Sequence, residues 1–194
     1  MRRGKRVLED ASGVAVRGYR APTFSIGRDS TWAHVILAEE GFEYSSSVYP
    51  RKHDLYGVPG APRTPFRPVP NLLEIPLTTV RLRGRDLPAS GGGYFRLLPY
   101  ALTRGLLRHA NRTNNSPAIF YLHPWEIDPE QPRQRAAPLL SRFRHYINLG
   151  RTEARLRRLL RDFAWTRMDR LFLTDEKGPF PVITSWTDYK PLLP

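Results

Sequence analysis

Apolar residues in this chain come in short runs that proline or glycine cuts off, and the runs switch between strand and helix periods. Residues 14–20 predict a strand, weakened by Gly18, that leaves its sheet at Ala21-Pro22, because proline brings no donor to a ladder. Asp29 or Ser30 then supplies an N-cap for a helix to Glu40 with Trp32, Val35 and Ile36 on one face. Gly41 suits the left-handed position that ends such a helix, with Phe42 packing back on Leu37 in a Schellman motif. Residues 43–48 predict a second strand, which gives strand–helix–strand order.

Residues 49–70 form a long proline-rich loop, and a loop of that length inside a compact domain is usually a lid, a binding loop or a disordered segment. Its Tyr, His, Asp and Arg content favours binding. Residues 72–76 are another short strand. The triple glycine Gly91-Gly92-Gly93 is not a phosphate loop, since no Gly-Lys-Ser/Thr comes after it; it allows a bulky group close to the backbone. A helix over about 99–110 turns Leu102, Leu106 and Leu107 inward. A further helix, capped by Thr152, places Leu156, Leu159, Leu160 and Phe163 at helical spacing, with Arg155, Arg157, Arg158 and Arg161 on a solvated face. Residues beyond about 173 show no period and are expected to trail along the surface.

The most informative run is Ala118-Ile119-Phe120-Tyr121-Leu122, which reads as a buried strand and ends on His123-Pro124-Trp125-Glu126. A buried strand of an α/β protein delivers the residues just past its C-terminal end to the site side of the sheet. His123 is therefore the first residue to suspect of chemistry, against the alternative that it merely caps a strand.

Composition narrows the reading. With 40% hydrophobic and 11% aromatic residues the 194-residue chain is a folded protein. It has no cysteine, which excludes disulfides, iron–sulfur clusters and thiolate zinc sites and fits a cytoplasmic location. A metal would need nitrogen and oxygen ligands from five histidines and 18 carboxylates. The basic N-terminus lacks the apolar core of a signal peptide, and no run approaches the ~20 apolar residues of a membrane span. The net charge is +13, and arginine supplies 27 of the 31 basic residues. Such a charge suggests an anionic partner, but the arginines are spread along the chain and nucleic acid is not the favoured one.

Tyr19-Arg20-Ala21-Pro22 resembles the third motif of the NodB-type polysaccharide deacetylases (carbohydrate esterase family 4), and Leu122-His123 resembles their fifth. Four elements occur in order: the stretch from Gly18 to Ile26, His53-Asp54-Leu55-Tyr56-Gly57, Gly91-Gly92-Gly93-Tyr94-Phe95-Arg96, and the stretch from Tyr121 to Pro129. Together they resemble the exosortase- and exopolysaccharide-locus subgroup, which carries a C-terminal DUF3473 region.

The resemblance implies an α/β fold, an incomplete (β/α) barrel. Residues 1–70 would be barrel, and residues 71–194 the DUF3473-like region including the last barrel strand. It implies hydrolysis of N-acetyl or O-acetyl groups on a sugar polymer, with zinc or another divalent metal in the complete family enzyme. The family's ligand and base motifs, of Thr-Phe-Asp-Asp and His-x-x-x-His type, precede the Arg-x-Pro element. They are absent here, so the expectation is no metal site and no cofactor in this chain, a partial enzyme inactive alone, and a complementary N-terminal deacetylase segment as partner. His123 matches the family's acid and Arg20 the arginine that pairs with the base aspartate. Trp32 or Trp125 would wall the acetyl pocket, and His53, Tyr56 and Glu126 are candidates for substrate contact or loop bracing. Where many relatives carry an aspartate that tunes the histidine, this chain has Tyr44-Ser45-Ser46-Ser47. The alternative reading is a non-catalytic basic module that binds an anionic polymer or nucleic acid.

Overall fold

The computed structural model describes residues 1–53, 56–114 and 116–174. The chain divides into two compact units, Met1–Leu77 with the residues from Thr166 on, and Thr78–Trp165.

The first unit opens with α1 (Arg2–Ser12), a helix without a buried residue. It is held by polar contacts. Lys5 Nζ donates to the carbonyls of Glu40 and Gly41 at 2.8 and 3.0 Å, Arg2 pairs with Glu40, and Glu9 accepts the N–H of Val16. Strand β1 (Gly18–Tyr19) leads into α2 (Trp32–Glu39) and β2 (Tyr44–Ser45), and then into β3 (Phe66–Val69) and β4 (Leu72–Glu74). The sheet order is β1-β2-β4-β3, with β1, β2 and β4 parallel and β3 antiparallel to β4. A Cβ at Gly18 would strike the Tyr44 ring, so a larger residue there would displace that side chain. The core of this unit is Ala21, Ile26, Ala33, Leu37, Phe42 and Leu72.

Helix α2 ends in a Schellman motif: Gly41 takes φ +72, and the N–H groups of Gly41 and Phe42 reach the carbonyls of Ala38 and Leu37. Its buried face differs from the expected one. Ala33, His34 and Leu37 point inward, whereas Trp32 and Val35 are 59% and 47% exposed. The reason is polar. Glu74, wholly buried, accepts the N–H groups of Ser47 and Val48 at 2.7 and 2.8 Å, and its other oxygen lies 3.3 Å from His34 Nε2. A buried carboxylate needs such partners, so the histidine takes the inward place that hydropathy assigns to tryptophan.

The second unit begins with a hairpin, β5 (Thr79–Leu82) and β6 (Arg85–Pro88), joined by Arg83-Gly84, both at positive φ. Helices α3 (Gly93–Leu97), α4 (Tyr100–Thr113), α5 (Leu139–Tyr146) and α6 (Leu149–Asp162) come next. One core is Val80, Ala89, Leu106 and Ala110; the other is Phe95, Tyr100, Leu107 and Leu159. Thr152 is not a cap. It is buried inside α6, where its hydroxyl donates to Asn148 O one turn back.

The run 118–122 makes one parallel bridge, Gly91 with Tyr121, rather than a full strand. Tyr121 N–H donates to Ser90 O, and Gly92 N–H donates to Tyr121 O at 3.0 Å. Pairing stops there because the segment opposite turns at once into α3. The chain returns to the first unit with α7 (Met168–Phe172), where Phe172 is buried and Asp169 lies 4.0 Å from Arg17. The fold is thus mixed α/β, with no closed barrel among the described residues. No described helix is long and apolar enough to cross a membrane. Residues 175–194, with their expected surface course, and Asp54 and Leu55 lie outside the described residues.

Candidate functional site

His123 stands at the N-cap of a short 3-10 turn, Pro124–Ile127, with its side chain exposed. Its backbone is fixed from below. Glu126 Oε1 accepts the His123 N–H at 3.0 Å, and Glu126 Oε2 accepts Arg96 Nε–H at 2.8 Å. Both charged side chains are buried, Arg96 3% and Glu126 1% exposed. Arg96 comes from α3, so the Gly91–Tyr121 bridge and the ion pair tie the same two segments together twice.

The guanidinium is itself over-determined. It donates to His145 O and lies 5.0 Å from the Trp125 ring. The backbone of α3 is held in turn: Asn148 Nδ2 donates to Arg96 O, and Arg155 Nη1 donates to the carbonyls of Phe95, Arg96 and Leu98. Arg155 therefore belongs to the helix-capping structure, not to the solvated arginine face expected for it, because the open carbonyls at the end of α3 need a cation.

Around this pair the rings form a ladder. Tyr121 Oη lies 2.6 Å from His123 Nε2. The His123 ring stacks on Trp125 at 5.6 Å and 22°, Trp125 stacks on His145 at 4.1 Å and 11°, and His145 meets Tyr146 edge-on. His145 Nε2 pairs with Gln131 Oε1 at 2.6 Å, and Gln131 Nε2 donates to the carbonyls of Trp125 and Asp128. Burial pushes the His145 imidazole below its ordinary pKa, and the Arg96 charge adds to this, against an opposing pull from Glu126. The arrangement gives one exposed imidazole, hydrogen-bonded to a phenol, on a backbone that the buried pair fixes. That suits proton transfer at His123.

In the first unit, Arg20 lies just past the carboxyl end of β1. Its Nη2 donates to Ser46 Oγ, next after β2, at 2.9 Å and lies 3.8 Å from Met168 Sδ. Its guanidinium is 5.6 Å from the Phe24 ring. Phe24 and Tyr49 each lie 5.7 Å from Tyr56, which stacks on His53 at 4.0 Å and 17°. The loop that carries Tyr49, His53 and Tyr56 is closed by Val58 N–H donating to Tyr49 O. Gly57 at φ +101 sits where a Cβ would strike Arg51 O.

The expected residues thus fall into two groups. His123, Trp125 and Glu126 meet in the second unit, and Arg20, Tyr56 and His53 meet through Phe24 in the first. Trp32 makes no ring contact with either group among the described residues and stands exposed on α2. Glu126 braces the backbone instead of facing a ligand. Sequence reasoning missed Tyr121, His145 and Arg96 as parts of the site. The signal for Arg96 was present: a lone cation in Tyr94-Phe95-Arg96-Leu97-Leu98 has to find a buried partner.

Among the described residues no group of three or more His, Asp or Glu side chains could hold a metal ion. The divalent metal that the resemblance implies therefore does not fit the residues described.

These features define a mixed α/β protein with an exposed histidine on a buried ion-pair support. A family model, the domain of unknown function DUF3473, matches residues 46–173, and the chain belongs to that family. No curated protein and no solved structure shows significant similarity to it.

Proposed function

We propose that this chain supplies the acid side of a polysaccharide deacetylase of NodB type, whose fold is part of a (β/α) barrel. The observation that carries the reading is the support of His123: an exposed imidazole whose backbone is held by Glu126 and Arg96 and whose ring meets the Tyr121 hydroxyl. In amide hydrolysis the C–N bond of the tetrahedral intermediate breaks, the electron pair goes to nitrogen, and protonated His123 gives that nitrogen its proton. The Tyr121 hydroxyl holds the ring as it changes charge. Arg20, past the end of a parallel strand, is the cation for a carboxylate, a role that suits a guanidinium because it stays charged and binds bidentately. The parallel β1-β2-β4 order supports the barrel kinship, since Arg20 and Ser46 lie past strand ends on the side where α/β proteins place their sites.

The test is acetate release from chitooligosaccharide. The 194 residues alone, with or without zinc, are expected to release none. Mixed with a segment carrying the Thr-Phe-Asp-Asp and His-x-x-x-His motifs, they are expected to release acetate. Release by the chain alone, abolished by a chelator and restored by zinc, would overturn the division of labour.

A second reading, a basic module that holds an anionic polymer without chemistry, is favoured by one observation. The unit Thr78–Trp165 has sixteen arginines and no lysine against six carboxylates, so it carries +10 of the chain's formal +13.

A further inference from the structure

The arginines of the second unit are not evenly used. Several across the chain are neutralised by neighbours: Arg17 by Glu43, Arg81 by Asp86, Arg157 by Glu153 and Arg167 by Asp169. Along α4 the pattern is different. Arg104, Arg108 and Arg112 recur every fourth residue, which puts them on one face in steps of about 6 Å. No acidic residue lies on α4 to separate them, and like charges at this spacing repel.

Helix α6 adds to the same surface. Arg158 lies over the Tyr100 ring at 4.5 Å, and Tyr100 Oη donates to Asp162 at 2.7 Å. Arg104 Nε is 2.9 Å from Asp162 Oδ2, an ion-pair contact whose N–H is not aligned for a hydrogen bond. Asp162 is held below the usual carboxylate range by the Tyr100 hydroxyl first and by Arg104, Arg158 and Arg108 after it. Arg104 is the guanidinium in ion-pair contact with Asp162, while Arg158 and Arg108 act on it through their charge. Asp162 and Tyr100 orient Arg104 and Arg158 without cancelling the surface, while Arg108 and Arg112 are exposed.

We infer that this α4–α6 ridge is the docking surface for an anionic, carboxylate-bearing polysaccharide. The inference rests on the polysaccharide reading above and makes the substrate polymer an acidic one. Guanidinium suits carboxylate because the two planar groups pair through parallel hydrogen bonds. The ridge lacks what base-specific or single-strand recognition would use, so a DNA duplex would meet it through its phosphates alone. Its aromatic ring, Tyr100, is buried beneath Arg158 and offers no face for base stacking. The amide of Asn111 is turned to the N–H of Ala118 and is not free to read a base edge. Recognition by charge along a line is left. Helix α6 also packs against the Pro124–Ile127 turn that carries His123, so ridge and imidazole share one support.

The experiment is titration of the whole chain with polygalacturonate, with its methyl ester and with a 20-base-pair DNA duplex, at two salt concentrations. The expected result is binding to polygalacturonate that weakens with salt, no binding to the neutral ester, and weaker binding to the duplex. Replacing the outer charges in Arg108→Gln/Arg112→Gln/Arg158→Gln should weaken polygalacturonate binding at least about tenfold, the ratio of one good charged contact. A variant that removes the same charge elsewhere, Arg3→Gln/Arg6→Gln/Arg170→Gln, should change it less than about twofold, and circular dichroism reports whether each variant is folded. Equal losses in the two variants, equal binding of the neutral ester, or tighter binding of DNA would overturn the inference. The binding is read without turnover, so its failure is distinct from failure of acetate release.

Discussion

Arg96 and Glu126, thirty residues apart, form a buried ion pair at 2.8 Å, and the second oxygen of Glu126 accepts the backbone N–H of His123. One carboxylate thereby joins the α3 helix to the backbone of His123. Breaking such a pair leaves a buried charge alone, which typically costs about 3–5 kcal/mol. Arg96→Met or Glu126→Gln should each lower stability by that order. The double variant should cost less than the sum of the two, as urea unfolding in a double-mutant cycle would read.

Gly91 adopts φ +102, and a Cβ there would collide with Tyr121 O, the oxygen that accepts the Gly92 N–H. Gly91→Ala should therefore open the bridge that positions the run before His123, at a cost above about 2 kcal/mol. Hydrogen exchange at the Tyr121 amide should quicken with it. Gly105→Ala, in the open on α4, should be neutral or slightly stabilising.

The architecture was legible where the chain obeys hydropathy and lost where buried polar partners override it. The Schellman end of α2 is written in Gly41-Phe42, and the short strand around Leu73 in its apolar run. The inward turn of His34 in place of Trp32 was not legible, because its reason, Glu74, lies forty residues away. The hairpin at Arg83-Gly84 carries a charged turn in place of the usual Asn-Gly or Asp-Gly. In the site, His123 and Arg20 stood out through their motif context. The lone cation Arg96 signals the need for a buried partner, but its partners Glu126 and His145 lie 30 and 49 residues on, beyond any local pattern.

The Glu74 network makes its own prediction. Glu74→Ala would orphan the N–H groups of Ser47 and Val48, each worth about 1–3 kcal/mol when buried without a partner. The combined loss should be several kcal/mol, larger than that of His34→Ala in the same urea series, because His34 makes the longer contact.

His145 should give the unfolding a pH dependence of known sign. Its imidazole titrates below the ordinary value of 6.5 in the folded chain, chiefly through burial, so the unfolded state binds more protons just below that pH. The groups facing it are Trp125, Gln131, Tyr146, Arg96 and Glu126. Its contribution is thus complete above about pH 6.5 and is lost as pH falls below that value and through the lower folded-state pKa. His145→Gln should flatten the stability profile between about pH 5 and 7 relative to wild type. A profile of unchanged slope would remove His145 as the source.

The most direct measurement is acetate release from chitooligosaccharide in the complemented mixture, with wild type, His123→Ala and Tyr121→Phe compared across pH. If His123 gives the leaving nitrogen its proton, His123→Ala lowers the maximal rate by about 10²–10⁴-fold. Tyr121→Phe leaves most of the rate. Activity that survives His123→Ala with its pH profile intact would contradict the assignment.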